Sequence, residues 1–392
     1  LFFFNCHPMS TEVCCDIFRE LRSQSVQENV CYSPLLIIST LSMVYIGAKD
    51  NTRAQIEKAI HLDKIPGFGE STESQVQKQF NPFSITYTSL KDIVSQITKP
   101  SDNYSISIAS RLYAEEKYPI LPEYIQCVKG LYKGGLESIS FQTAAEKSRE
   151  LINSWVESQT NGSIKNILQP SSVSSQTDMV LVSAIYFKGL WEKAFKEEDT
   201  QTAPFRISEQ ESKPVQMMSQ TGTFKVAEIP SEKCRILELP YASGRLSLWV
   251  LLPDDISGLE QLETAITVEN LKEWTSSRKM EERKIKVYLP RMRIEEKYNL
   301  TSVLKSLGIT DLFSSSANLS GISSAQSLKV SGAFHEAFVE ISEAGSKVVR
   351  SSGAGVDDTS VSEEIRADHP FLFWIKHNPS DSILFFGRCF SP

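Results

Sequence analysis

Few side chains in this sequence are placed to act as acid, base, nucleophile or ligand. Five histidines, His7, His61, His335, His369 and His377, are the groups whose ordinary titration falls near neutrality. His335-Glu336 opens like the zinc-binding H-E-x-x-H helix, but Val339 stands where the second histidine must be, so no metal pair forms. Asp368 and His369 are adjacent. On a strand, neighbours point to opposite faces, which would spoil a proton relay between them. There is no G-x-S-x-G turn, no P-loop and no dinucleotide fingerprint. The seven cysteines, Cys6, Cys14, Cys15, Cys31, Cys127, Cys234 and Cys389, are odd in number and contain no C-x-x-C pair. Neither a zinc site nor a dithiol redox centre is written here, and four of them sit in apolar runs where a thiol packs as a small hydrophobe. No enzyme activity, catalytic residue, cofactor or metal is expected.

The segment that stands out is EAGSKVVRSSGAGVDDTS, Glu343 to Ser360. It holds three glycines, small polar residues and charges without apolar period. The alternating FHEAFVEIS before it reads as a strand, and IRADHPFLFWIKH and SILFFGRCF after it read as buried strands. Some eighteen residues must therefore bridge two anchored elements, a length that in a compact domain marks a functional loop. Exposed segments of this composition are also where proteases cut.

The rest of the chain must hold that loop. It has 392 residues, 41 % of them apolar, enough for a large core, and no Pro/Ser-rich linker divides it. One domain is expected from Met9 to Pro392, with Leu1–Pro8 as an unstructured leader. A net charge of −7 provides no field for nucleic acid. The charged run Arg278–Lys297 alternates signs and reads as a solvated face. Asn29 to Ala48 carries no charge, yet its hydroxyls, Pro34 and Gly47 make it a buried helix capped by Ser33 rather than a membrane span. Thr143 and Glu146 have capping-box spacing before a second amphipathic helix. Asp178–Trp191 is a near-continuous β-rich run, expected as a central strand covered on both faces. Short strands ended by Pro, Gly or Asp dominate afterwards. Helices early and strands late argue for an α+β fold with mainly antiparallel sheets.

ADHPFLFWI (Ala367–Ile375) followed by ILFFGR (Ile383–Arg388) resembles the serpin signature. NSWVESQTNGSIKNIL (Asn153–Leu168), AIYFKGLW (Ala184–Trp191), YSP (Tyr32–Pro34) and the EAG before the loop agree in order and spacing, from about Met9 to Pro392. The resemblance implies a serpin fold of three β-sheets and about nine helices, with an exposed reactive-centre loop in the region 343–366. It implies a scissile bond at Thr359-Ser360 and a hinge containing Glu343, Gly345, Ser346, Val348 and Arg350. It also implies a shutter beneath the large sheet at Ser33, Leu36, Ser183, His335 and Ser342. There the family usually has Ser for Leu36 and Asn for Ser183 and Ser342, so hydrophobic packing is expected to replace part of a polar zone. Asn299 and Asn318 match family glycosylation sequons, Asn299 foremost. Cys127 matches a disulfide cysteine, but Val76 occupies the partner position, so that bridge is absent or re-paired.

In inhibitory members the cut loop enters the large sheet as a new strand and traps the protease. A new strand alternates faces, which puts Arg350 on one side and Lys347 on the other whichever register is taken. Burying an unpaired guanidinium costs on the order of several kcal/mol. Gly353 and Gly355 weaken the strand further. Ser346 is the contrary sign, a small hinge residue of inhibitory type. The expectation is a non-inhibitory, monomeric storage or nutrient protein, with serine proteases as partners that cleave it. It would be secreted through an uncleaved internal signal, with cytoplasmic residence as the alternative. The rival function is inhibition of an elastase-like protease that accepts Thr359.

Overall fold

The computed structural model describes residues 6–62, 90–131, 134–346 and 361–392. Ser33 caps helix α2 as expected: its Oγ accepts the Leu36 N–H at 3.2 Å, and Pro34 follows at the first helical position. Every residue of α2 is buried, which is why the segment is apolar all round rather than striped. Among the described residues no helix is long and apolar enough to cross a membrane.

Nine helices occur among the described residues. They are α1 (Cys6–Gln24), α2 (Pro34–Gly47), α3 (Asp50–Ala59), α4 (90–98), α5 (Pro122–Leu131), α6 (Phe141–Gln159), α7 (Leu259–Glu263), α8 (Val268–Trp274) and α9 (Thr301–Ser306). The early strands are β1 (Val30–Tyr32), β2 (Tyr104–Glu115), β3 (Leu136–Ile139), β4 (Met179–Gly189), β5 (Gln201–Arg206), β6 (Ser212–Ile229) and β7 (Cys234–Pro240). The later ones are β8 (Leu246–Pro253), β9 (Glu281–Pro290), β10 (Met292–Asn299), β11 (Gly332–Ile341), β12 (Glu364–Arg366), β13 (Phe371–His377) and β14 (Ser382–Cys389). Helix α1 takes in Cys6, His7 and Pro8, which corrects the expected leader; residues 1–5 lie outside the described part. The capping-box residue Thr143 sits beside a break in α6, where Ala144 leaves helical geometry.

The expected sheets are present, two of them joined. A five-stranded sheet runs β10-β11-β4-β2-β3. A nine-stranded sheet runs β1-β14-β13-β8-β7-β6-β9-β12 with β5 on β6. The join is β6: its 18 residues pair first with β5 and then with β7, while β9 follows its middle. Strand β4 is central, antiparallel to β2 and parallel to β11. Its alternate side chains fill two cores: Leu181, Ile185 and Phe187 share one with α2, and Val180, Val182 and Ala184 share another with α6. Burial on both faces accounts for the unbroken apolar run.

The late strands close over α1 through aromatic contacts. Trp249 stacks on Trp374 at 5.9 Å, Trp374 on Phe386 at 6.0 Å, and Phe386 meets Phe18 edge-on at 5.1 Å. Arg388 crosses beneath them, 4 % exposed. Its Nη1 donates to both Glu263 oxygens at 3.0 and 3.2 Å, its Nε donates to the Glu28 carbonyl at 2.9 Å, and its Nη2 donates to the Ser25 carbonyl. Removing the guanidinium strands a buried carboxylate and two carbonyls. Arg388→Ala is therefore expected to lower unfolding stability by about 3–5 kcal/mol, read as a shifted denaturant midpoint at unchanged slope.

Candidate functional site

The loop leaves the five-stranded sheet at the end of β11, and its first residues are gripped. The Trp191 N–H donates to the Ala344 carbonyl at 3.0 Å, Phe195 N–H to the Glu343 carbonyl at 3.0 Å, and Ser346 N–H to the Trp191 carbonyl at 2.9 Å. Trp191 Nε1 donates to the Ser342 carbonyl at 2.6 Å, and its ring stacks on Tyr241 at 4.4 Å. A Cβ on Gly345 would stand 2.5 Å from Ala194 Cβ and 2.7 Å from the Ala194 nitrogen, so only glycine allows this approach. Residues 343–346 thus continue the edge of β4 rather than beginning a free loop. This corrects the expectation of a stretch ungripped from Glu343 onward.

Glu343 locks the hinge electrostatically. It is 3 % exposed, and Arg291 Nε donates to its Oε1 at 2.9 Å while Arg291 Nη2 and Thr200 Oγ1 serve its Oε2. The bonds from Arg291 hold its carboxyl below the usual carboxylate range, against the pull of burial. This is a charge-assisted, two-pronged pair. Arg291 lies in the run expected to be a solvated charged face; it is instead an anchor.

Below the hinge, β4 and β11 are joined by a parallel ladder of nine residue pairs, from Gly332 with Val180 to Glu340 with Lys188. His335 crosses it. The Ser33 N–H donates to His335 Nε2 at 2.9 Å, so that nitrogen is unprotonated, and Nδ1–H donates to Ser183 Oγ at 2.8 Å. The ring is fully buried, and burial pushes its pKa down to about 3. One neutral imidazole ties α2, β4 and β11 together. The expected apolar replacement holds at Leu36, which is 2 % exposed in the core. It fails at Ser183, whose hydroxyl keeps the polar link. Ser342 is not in this cluster. It lies seven residues up the chain from His335, roughly 23 Å at about 3.3 Å per residue, and belongs to the Trp191 grip.

Glu336, next along β11, is 1 % exposed, and its two oxygens accept no hydrogen bond. Lys297 Nζ approaches at 3.7 Å and donates instead to the Asn166 carbonyl at 2.8 Å. Burial, aided by Glu295, raises the Glu336 pKa despite Lys297.

Asp368 and His369 lie beyond β12 outside any strand and do meet, Oδ1 to Nδ1 at 2.9 Å, which corrects the opposite-face expectation. His369 Nε2 is spent on the Pro253 carbonyl at 2.7 Å, so no relay follows. Cys127 is a free thiol, as are Cys14, Cys15, Cys31, Cys234 and Cys389. Asn299 and Asn318 lie at the end of β10 and before residue 320 respectively. Val348, Arg350, Thr359 and Ser360 lie outside the described residues. Trp191, Arg291 and Thr200 were not singled out from sequence; the Trp at the end of the long β-rich run was the available signal.

The family profile described as Serpin (serine protease inhibitor) matches residues 8–392. The chain is 70 % identical over 383 residues to ovalbumin of Dromaius novaehollandiae, covering 98 % of each. It superposes with a TM-score of 0.91 on uncleaved ovalbumin, 66 % identical, covering 98 % of this chain and 99 % of that one. A loop-inserted structure of a cleaved ovalbumin mutant, carrying threonine for arginine, gives a TM-score of 0.85 at 64 % identity, with 98 % and 99 % covered.

The two buried groups set opposite pH limits. His335 stays neutral when folded down to about pH 3, while an unfolded histidine protonates near 6.5, so its contribution is lost as pH falls across that window. Glu336 is protonated more readily when folded than when unfolded, so its contribution is present below the ordinary glutamate range and is lost as pH rises through the raised value. Melting temperature against pH is expected to form a dome. Glu336→Gln should flatten the alkaline limb and His335→Gln the acid limb.

Proposed function

The chain belongs to the serpin family as an ovalbumin-like, non-enzymatic member, and we propose that its loop is a protease substrate rather than a protease trap. Its role is that of a non-inhibitory storage protein of egg white, acting as a monomer and secreted through an uncleaved signal within Asn29–Ala48. That segment forms β1 and α2 in the core, so it must be read before folding buries it.

The observation that carries the proposal is the closed β4–β11 ladder, with buried side chains on both of its faces. A strand returning from the end of β11 would enter antiparallel to both neighbours and break that ladder as it went. His335 and Ser183 would have to part. Lys347 and Arg350 would then be carried between two hydrophobic layers, one on each side. An uncompensated buried charge costs on the order of several kcal/mol. Insertion need not be forbidden. It need only be slower than hydrolysis of the acyl-enzyme formed at Thr359-Ser360.

Ser346 favours the second reading, fast insertion and inhibition. It is the last described hinge residue, small and hydroxylic, and the loop-inserted relative is one in which arginine has given way to a small hydroxylic residue. Elastase, which accepts small residues such as Thr359, separates the two readings at equimolar ratio. Clean conversion to two fragments is expected on a denaturing gel, with little gain in melting temperature after the cut. A covalent protease complex, or a gain of tens of degrees, overturns the substrate reading. Trypsin-like enzymes are expected to cut after Lys347 or Arg350 instead.

Asn299 supports glycosylation better than Asn318. It is exposed, and its Oδ1 accepts from Thr301 N and Oγ1 at 3.2 and 2.6 Å, so the side chain is held through its oxygen. Asn318 Nδ2 donates to Asp50 at 2.9 Å. Asn299→Gln is expected to abolish the main glycan mass increment in secreted protein, and Asn318→Gln to leave it in place.

A further inference from the structure

The five-stranded sheet has an unfinished edge. Strand β3 pairs with β2 only at Leu112–Glu115, so among the described residues Tyr104–Arg111 has no neighbour on that side. Two hydrogen bonds fix which groups point outward. The Leu190 N–H donates to the Asn103 carbonyl, so Asn103 and every second residue after it face β4. The Leu112 N–H donates the other way, to the Gly135 carbonyl. Tyr104, Ile106, Ile108 and Ser110 therefore turn their main-chain groups to the open side. At Ser110 the edge closes: a Cβ on Gly134 would stand 1.8 Å from its carbonyl oxygen, so the chain entering β3 lies against it. No described residue bonds the main-chain groups of Ile106 or Ile108 on that side.

Those two residues line a cavity of about 510 Å³, within the range of built ligand sites. Helices form its walls. Lys91, Val94, Ser95 and Thr98 recur at three- and four-residue spacing, which is one face of α4. Trp155 and Gln159 do the same on α6, and Leu36 and Ser39 on α2. Most of the lining hydroxyls are spent within the protein. Ser39 Oγ donates to the Leu35 carbonyl at 2.9 Å and Thr98 Oγ1 to the Val94 carbonyl at 2.7 Å. Ser110 Oγ meets Thr40 Oγ1 at 2.9 Å, and Ser107 Oγ accepts from Asn161 Nδ2 at 3.2 Å. What β2 offers the cavity is apolar side chains and open main chain. Lys91 and Lys129 are its charged lining residues, and no carboxylate lines it among the described residues, in a chain of net charge −7.

We propose that an extended, acidic peptide of a partner protein adds to β2 here as a further strand. An unpaired strand edge is a template for such addition. The main chain of the peptide bonds Ile106 and Ile108, about 7 Å apart. Its side chains alternate: one set is apolar and packs on Ile106, Ile108 and Val94, and the other faces Trp155 and Gln159. Acidic residues suit the second set because the charged lining is cationic. Every lining residue precedes β4, so the inference needs neither cleavage nor insertion of the loop; Leu36 is shared with the shutter.

The test is fluorescence polarisation of a labelled, capped hexapeptide of alternating valine and aspartate, about 20 Å long when extended, titrated with the full chain. Saturable binding is expected. Methylating the amide nitrogens of one alternate set should abolish it and methylating the other should not, because a strand bonds its neighbour through every second residue. Ser95→Trp, a bulky side chain placed at an exposed position on the cavity face of α4, should remove binding at unchanged melting temperature. Lys129→Gln, and a valine–lysine hexapeptide, should each weaken it about two- to fivefold or more. Hydrogen exchange should slow at the Ile106 and Ile108 amides and stay unchanged at Ser107 and Ala109. Absence of saturable binding, equal binding of both methylated peptides, or full binding by Ser95→Trp overturns the site. Equal affinity for the lysine peptide overturns the acidic assignment, and a dimer of the chain that the peptide dissociates gives the edge to a second copy instead.

Discussion

Everything in this molecule turns on whether β4 and β11 stay joined. Their ladder is parallel, buried on both sides, and tied across by a neutral histidine that can hold its two partners only while it remains uncharged. Parallel strands lying side by side can also receive, between them, a strand running the other way with antiparallel hydrogen bonds on both edges. The long β4–β11 seam is therefore both a source of the sheet's stability and a door into it. The chain holds that door with apolar packing on one face, a second apolar core on the other, and cationic residues in the segment that would have to pass.

The hinge adds a second restraint of different character. Trp191 binds three alternate residues of the departing chain, Ser342, Ala344 and Ser346, through backbone and indole hydrogen bonds, and Gly345 allows contact too close for any side chain. Arg291 neutralises Glu343 from a neighbouring strand junction. These contacts are short, local and polar, whereas the ladder below is long and apolar. A protease meeting the loop meets a segment whose base is already spoken for, and this suits a chain that is cut rather than one that springs.

Much of this was legible residue by residue. Ser33-Pro34 is a cap and a first helical position in any context, and α2 begins there. The long β-rich run could only be a strand covered on both faces, and β4 is that strand. Distant pairing was not legible. Arg291 looked like one more charge in a mixed run, because nothing in its neighbourhood says that Glu343, fifty-two positions later, folds against it. Ser342 was grouped with His335 by family pattern, yet the length of β11 carries it to the other end of the sheet. Asp368 and His369 were separated on the assumption of a strand, and the chain turns there instead.

Local physics in the sequence thus decided the elements, the two-sided burial of the central strand, and the charge load of the loop, since propensity, capping and alternation act over a few residues. Tertiary structure alone decided which charges are paired and which histidine nitrogen is free of its proton. Those depend on atoms brought together from segments fifty or more positions apart, and no periodicity along a single stretch records them.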